Sequence, residues 1–267
     1  MPTAGESTHK SPSYSIERCA DMMTGPTSDV VAGCIQEYAF RRLLAYVLHT
    51  QGVDMARTHS TPIPPHLAQV PMRTLRPRDA EAAYAHPRAE FARLTERGLL
   101  HRVADGYYVV VPQDMVGRTW TPGLEETAAG IATAIYGPDD VVVMGPSAAR
   151  LHGAIPRALG TATVAAPSQH RAIELSDRKA IVRFIKRDTA RLDAERIDTP
   201  LGPTLVTTPE QTVLDLAHRP DLGDVAVDVP TAVAALVARC DPRRIAALAT
   251  EQRRTASLRR VEAWTQT

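Results

Sequence analysis

Apolar positions along this chain switch between a helical and an extended period, and the switches come closest together between residues 72 and 111. A short extended run over 72–76 leads to Pro77, which fits a first helical turn because the backbone N–H it lacks would have no partner there. The spacing predicts a helix over 77–85. His86-Pro87 breaks it, since a proline pushes the preceding residue out of the helical region, and Pro87 can itself open a second helix running to about Arg97. Phe91, Leu94 and Thr95 share the face that enters a core, with Glu90, Arg93 and Arg97 on the other side. Gly98 is the expected left-handed stop. Leu99, Leu100 and Val103, then Tyr107 to Val111, are branched or aromatic residues around Ala104-Asp105-Gly106, which predicts a ribbon of two strands turned at that tripeptide.

Helix, break, helix and ribbon in that order make a winged helix-turn-helix. Upstream, residues 1–34 are rich in Ser, Thr, Pro and Gly without periodicity and are expected to be a disordered tail. Phe40, Leu43, Leu44, Val47 and Leu48 form the apolar stripe of an amphipathic helix over 36–50, either part of the winged domain or a dimerisation helix. Residues 61–71, with four prolines, are expected to be a stiff extended linker. Downstream the pattern predicts helices over 124–136, 147–152, 208–217, 229–239 and 242–264 and strands over 141–144, 161–165, 181–187 and 202–206. Thr208 is placed to cap its helix, with Pro209 in the first turn and Gln211 completing a capping box. The fold class is therefore α+β. A tail (1–34) precedes a winged helix domain (35–112, with its preceding helix and Pro-rich linker), and a mixed α/β domain with a helical end follows (123–267).

Charge is nearly balanced, 31 basic against 30 acidic residues, so contact with nucleic acid must come from local patches. Cys19, Cys34 and Cys240 show no paired spacing, which argues against a zinc site or disulfide framework and fits a reducing compartment. With no long apolar run and a polar N-terminus, the expectation is a soluble cytoplasmic protein.

Between Met72 and Arg102 seven arginines face four acids. A helix after a tight turn can enter the DNA major groove with its first residues at the base edges, which makes Arg88 the candidate base reader. Arg93 and Arg97, together with Arg73, Arg76, Arg78 and Arg102, suit phosphate contact. The alternatives are an ordinary solvated face, or a winged domain that docks protein instead of DNA. The last predicted helix carries Arg243, Arg244, Arg253, Arg254, Arg259 and Arg260, either a solvated face or a second patch for phosphate or an acidic partner.

Enzyme readings lack their residues. Gly145-Pro146-Ser147 is followed by no aspartate before Asp177, so the paired carboxylates of a two-metal nucleotidyltransferase are missing. No Asp with a following Glu-x-Lys marks a nuclease, and no Gly-rich phosphate loop occurs. His152 and Asp215 read as packing and hydrogen-bonding residues rather than catalysts. No catalytic residue, metal or cofactor is expected.

Three stretches resemble the AbiEi family of antitoxins, the repressor half of type IV toxin–antitoxin pairs. RPRDAEAA with RLTERGLLHRVADGYYVV is similar to the family's winged helix. Ser147-Ala148-Ala149-Arg150-Leu151-His152-Gly153 is similar to its small-residue segment ending Leu-His-Gly, and Thr207-Thr208-Pro209-Glu210-Gln211-Thr212-Val213-Leu214-Asp215-Leu216-Ala217 to its Thr-x-Pro-Glu-x-Thr-x-x-Asp helix start. The resemblance covers residues 36–264 and departs from the family in the long polar N-terminus and the Pro-rich linker. It implies a domain that binds double-stranded operator DNA and represses its own operon, and a C-terminal domain that counteracts a nucleotidyltransferase-like toxin. Paired half-sites would call for a homodimer. The rival from another class is a protein-interaction module that docks a partner without binding DNA.

Overall fold

The computed structural model describes residues 63–266. The expected tail over 1–34 and amphipathic helix over 36–50 lie outside the described residues. The Pro-rich stretch, where described, is not an extended linker. Pro65–Ala68 forms a helical turn (α1) that sinks Leu67 beside Ile63 in the core, because apolar residues between the prolines gain more by burial than by extension into water.

Strand β1 (Thr74–Leu75) follows, and then a short tight helical turn, Pro77–Ala80, where a full helix over 77–85 was expected. Asp79 fastens the start of this turn. Its carboxylate accepts from the Arg76 backbone N–H at 2.9 Å and from the Arg76 guanidinium at 3.0 Å, which fixes one turn and ties it down.

Helix α2 (Pro87–Glu96) is closed by Gly98, and the ribbon is β2 (Leu100–Ala104) and β3 (Tyr107–Val110). β1 adds to the far edge of β3, so the sheet order is β1-β3-β2, all antiparallel. Phe91 and Leu94 are buried against this sheet with Leu75, Leu100 and Val110, and Phe91 meets the Tyr108 ring edge to face at 5.1 Å.

Helix α3 (Leu124–Tyr136) leads to the larger sheet, built from β4 (Val142–Val143), β5 (Thr161–Ala166), β6 (Ile173–Glu174), β7 (Ile181–Lys186), β8 (Ala194–Thr199) and β9 (Gly202–Thr207). Its order is β6-β7-β5-β4-β9-β8, with β5·β7 and β4·β9 parallel and the rest antiparallel. Helices α4 (Gly145–Leu151), α5 (Pro209–His218), α6 (Val229–Val237), α7 (Pro242–Glu251) and α8 (Thr255–Thr265) complete the described chain. The expected single helix over 242–264 is two, because Arg253 adopts a left-handed φ of 55° and turns the chain. Thr208 caps α5 by accepting from Gln211 N–H at 3.3 Å, but the capping box is not completed: the Gln211 side chain turns inward to Asp215 and Gln252.

One hydrophobic core joins the two sheets. Met72, Val103, Ala104 and Val109 are buried in the same cluster as Ala128 and Ile131 of α3 and the helices beyond. Ser176 N–H donates to Val103 O at 2.9 Å, and Ala104 bridges to Leu175. Gly130 makes the joint close. A Cβ there would stand 2.2 Å from Thr74 Oγ1, so α3 approaches β1 by its backbone.

Candidate nucleic-acid interface

The first turn of α2, the Pro77–Ala80 turn and the tip of the ribbon enclose an open cleft of about 690 Å³. Arg76, Arg78 and Arg88 line it with His86 and Tyr107. The break at His86-Pro87 positions Arg88 at its mouth, one residue inside the helix, where Pro87 sets the backbone angle. Tyr107 enters because the tight turn at Asp105-Gly106, with Gly106 at φ +76°, brings the start of β3 back over the cleft. Burial pushes the Tyr107 hydroxyl above its ordinary pKa, against the pull of Arg76 and Arg78.

The other arginines differ in placement. At about 100° per residue, Arg93 and Arg97 sit about 40° apart on α2, whereas Arg88 is about 140° round from Arg93. The three therefore do not share one face. Arg93 pairs with Glu90 at 2.9 Å and Arg102 with Asp105 at 2.7 Å, both exposed, and Arg76 is held by Asp79. Arg73 belongs to a separate groove with Thr199 and Pro200, turned there by left-handed backbone at Met72 and Arg73. Arg88, Arg97 and Arg73 have no ion-pair partner among the described residues. His86 and Tyr107 were missed in the sequence, although their positions beside the break and the Asp-Gly turn are a usable signal.

The terminal arginines are not one patch. Arg244 pairs with Asp193 at 2.6 Å, Arg254 is buried on Asp215 at 2.6 Å, and Arg260 donates to the Ala217 carbonyl, leaving Arg243, Arg253 and Arg259 exposed and without an ion-pair partner among the described residues. His152 Nε2 meets Thr207 O at 2.7 Å, and the His152 carbonyl accepts from Arg239. Asp215 accepts from Arg254 and Gln211 and is fully buried. Burial pushes its carboxyl above the ordinary range, against the pull of Arg254 and Arg187. These bonds hold both residues in place, and the motif segments meet where α4 and α5 flank β9.

Residues 141–263, from β4 to α8, match the AbiEi antitoxin C-terminal domain. That segment belongs to the AbiEi antitoxin family. The AbiEi segment contains both the Leu-His-Gly and the Thr-Pro-Glu stretches. Among solved structures, the crystal structure of the RV2827C protein from Mycobacterium tuberculosis is similar in fold, with a TM-score of 0.50 and 19% identity over 75% of this chain and 73% of that one. No curated protein matches. No helix among the described residues is long and apolar enough to cross a membrane.

Proposed function

We propose that this chain is the antitoxin of a type IV toxin–antitoxin pair, binding double-stranded operator DNA as a homodimer to repress its own operon and counteracting a nucleotidyltransferase-like toxin. The AbiEi match over 141–263 supports the antitoxin role. For DNA binding, the supporting observation is the cleft that gathers Arg76, Arg78 and Arg88 where α2 begins beside the ribbon, the arrangement of a winged helix. Arg88 reads bases. Arg78 and Arg97 contact phosphate, as do Arg73, Arg76, Arg93 and Arg102, with those held by acids contributing less until released.

Fluorescence anisotropy on DNA from upstream of the gene, against scrambled DNA across a salt series, tests this reading. Tighter upstream binding with a steep salt slope is expected. Arg88→Ala should reduce the preference for upstream DNA by about tenfold or more, while Arg102→Ala should weaken both DNAs slightly and alike. Absence of binding to either DNA at low salt would overturn the repressor reading. The ion pairs on Arg76, Arg93 and Arg102 favour a second reading, a face that docks protein, and that reading gains if the toxin binds while DNA does not.

A further inference from the structure

Three helices end in the same closure, in which two backbone N–H groups beyond the cap reach back into the last turn. In α2 these are Leu99 N to Leu94 O and Gly98 N to Thr95 O, and in α4 Ala154 N to Ala149 O and Gly153 N to Arg150 O. In α7 they are Arg254 N to Ala249 O at 2.7 Å and Arg253 N to Thr250 O at 3.1 Å. The left-handed position is glycine in the first two, at φ +70° and +75°, but Arg253 in the third, at φ 55°. An L side chain is strained there, and such strain clusters at sites where the side chain is needed.

The closure sets Arg253 and Arg254 on a mostly polar cleft of about 550 Å³, faced by Arg187 and Arg191 from the stretch after β7, with Asp188 and Glu251 also on its lining. Beneath it Asp215 Oδ1 lies 2.6 Å from Arg254 Nη1 and 3.7 Å from Arg187 Nη1. One carboxylate therefore serves two guanidinium groups whose side chains are only 8% and 22% exposed. The excess positive charge is felt nearby: burial, then repulsion from Arg254 and Arg187, lowers the His218 pKa. Arg191 and Arg253 are exposed and have no ion-pair partner among the described residues, and neither Asp188 nor Glu251 pairs with any of the four. Desolvated cations without full compensation are costly, and an anion relieves that cost.

We propose that this cleft, on the AbiEi segment and independent of the DNA-binding reading, binds a small phosphorylated anion of the pyrophosphate or triphosphate class. Guanidinium forks match phosphate oxygens two at a time. The volume is that of a small-ligand site, and with Leu192 the one apolar side chain on the lining, recognition falls on the phosphates and not on a ring.

Calorimetric titration and thermal shift of the full chain with inorganic pyrophosphate and tripolyphosphate, against sodium chloride and sulfate at matched ionic strength, test the proposal. Pyrophosphate or tripolyphosphate should bind saturably and raise the melting temperature beyond the salt controls. Arg253→Gly alone should melt at the same temperature or higher without ligand, since glycine adopts this φ, yet bind about tenfold more weakly; with Arg191→Gln added the loss should reach about a hundredfold. Arg259→Gln, exposed on α8, should leave affinity unchanged. Stabilisation no greater than that by salt, or equal affinity in the double variant, would overturn the proposal. So would a scrambled DNA duplex whose binding is lost in the double variant while pyrophosphate fails to bind the wild type, an outcome that assigns the cleft to the nucleic-acid backbone.

Discussion

Asp177 accepts from Arg178 Nη2 and from His101 Nε2, each at 2.8 Å, and Arg178 also donates to Pro122 O at 2.7 Å, so a single carboxylate ties β2 to the turn before β7. Burial pushes this carboxyl up, but the bonds from Arg178 and His101 prevail and hold it below its ordinary value of 3.8. A carboxyl with a depressed folded-state pKa contributes stability that is full above the unfolded value and is lost as pH falls through the folded one. Asp177→Asn should therefore cost about 2 kcal/mol at neutral pH. In chemical denaturation the gap to wild type should narrow once the pH falls below about 4. A gap that stays constant into acid would refute the assignment. At this scale part was legible: Asp215 and His152 read as hydrogen-bonding residues, and each makes such a bond. The three ion pairs that occupy Arg76, Arg93 and Arg102 were legible too, because each joins residues three apart, yet a count of charges passes over them.

At the scale of elements, α3 is placed by what it lacks. Its glycine lets the backbone lie on β1, where Thr74 Oγ1 donates to Met72 O at 2.9 Å. Gly130→Ala should destabilise the protein by about 1–3 kcal/mol despite alanine's better helix propensity, and adding Thr74→Ala should recover part of the loss. A stabilised Gly130→Ala in urea denaturation would show that the joint yields. The sequence displays the Ala-rich face of α3 but not its partner, since contact between distant segments leaves no local period. For the same reason β8 was missed: Ala-Glu-Arg-Ile-Asp-Thr alternates weakly on an edge strand and gains its order from β9. The break before α8 was missed because neither glycine nor proline marks it.

For the molecule as a whole, the shared core predicts that the described residues unfold together. Trp120 packs on that core beside His101, at 6.1 Å between rings, and Trp264 packs on it near the chain's helical end. Tryptophan fluorescence and far-ultraviolet circular dichroism should accordingly give one coincident transition in urea. Separate midpoints would mean that the two sheets hold independently. The α+β class was legible from local periods, whereas the fusion of the cores was not, because Met72 and Val103 look like ordinary members of their own small sheet. The gathering of Arg76, Arg78 and Arg88 was hidden in the same way, since it depends on where the ribbon's tip folds.

The bridge from Ala104 to Leu175 and the burial of Val103 also bear on how such a chain can be recombined. A hybrid spliced between residues 112 and 123 would join a foreign three-stranded unit to a body whose apolar seat was shaped for another. It should aggregate unless α3 and the 173–178 turn travel with that unit. On the DNA-binding reading proposed above, a change of specificity should therefore proceed by substitution on α2 more readily than by exchange of the whole three-stranded unit.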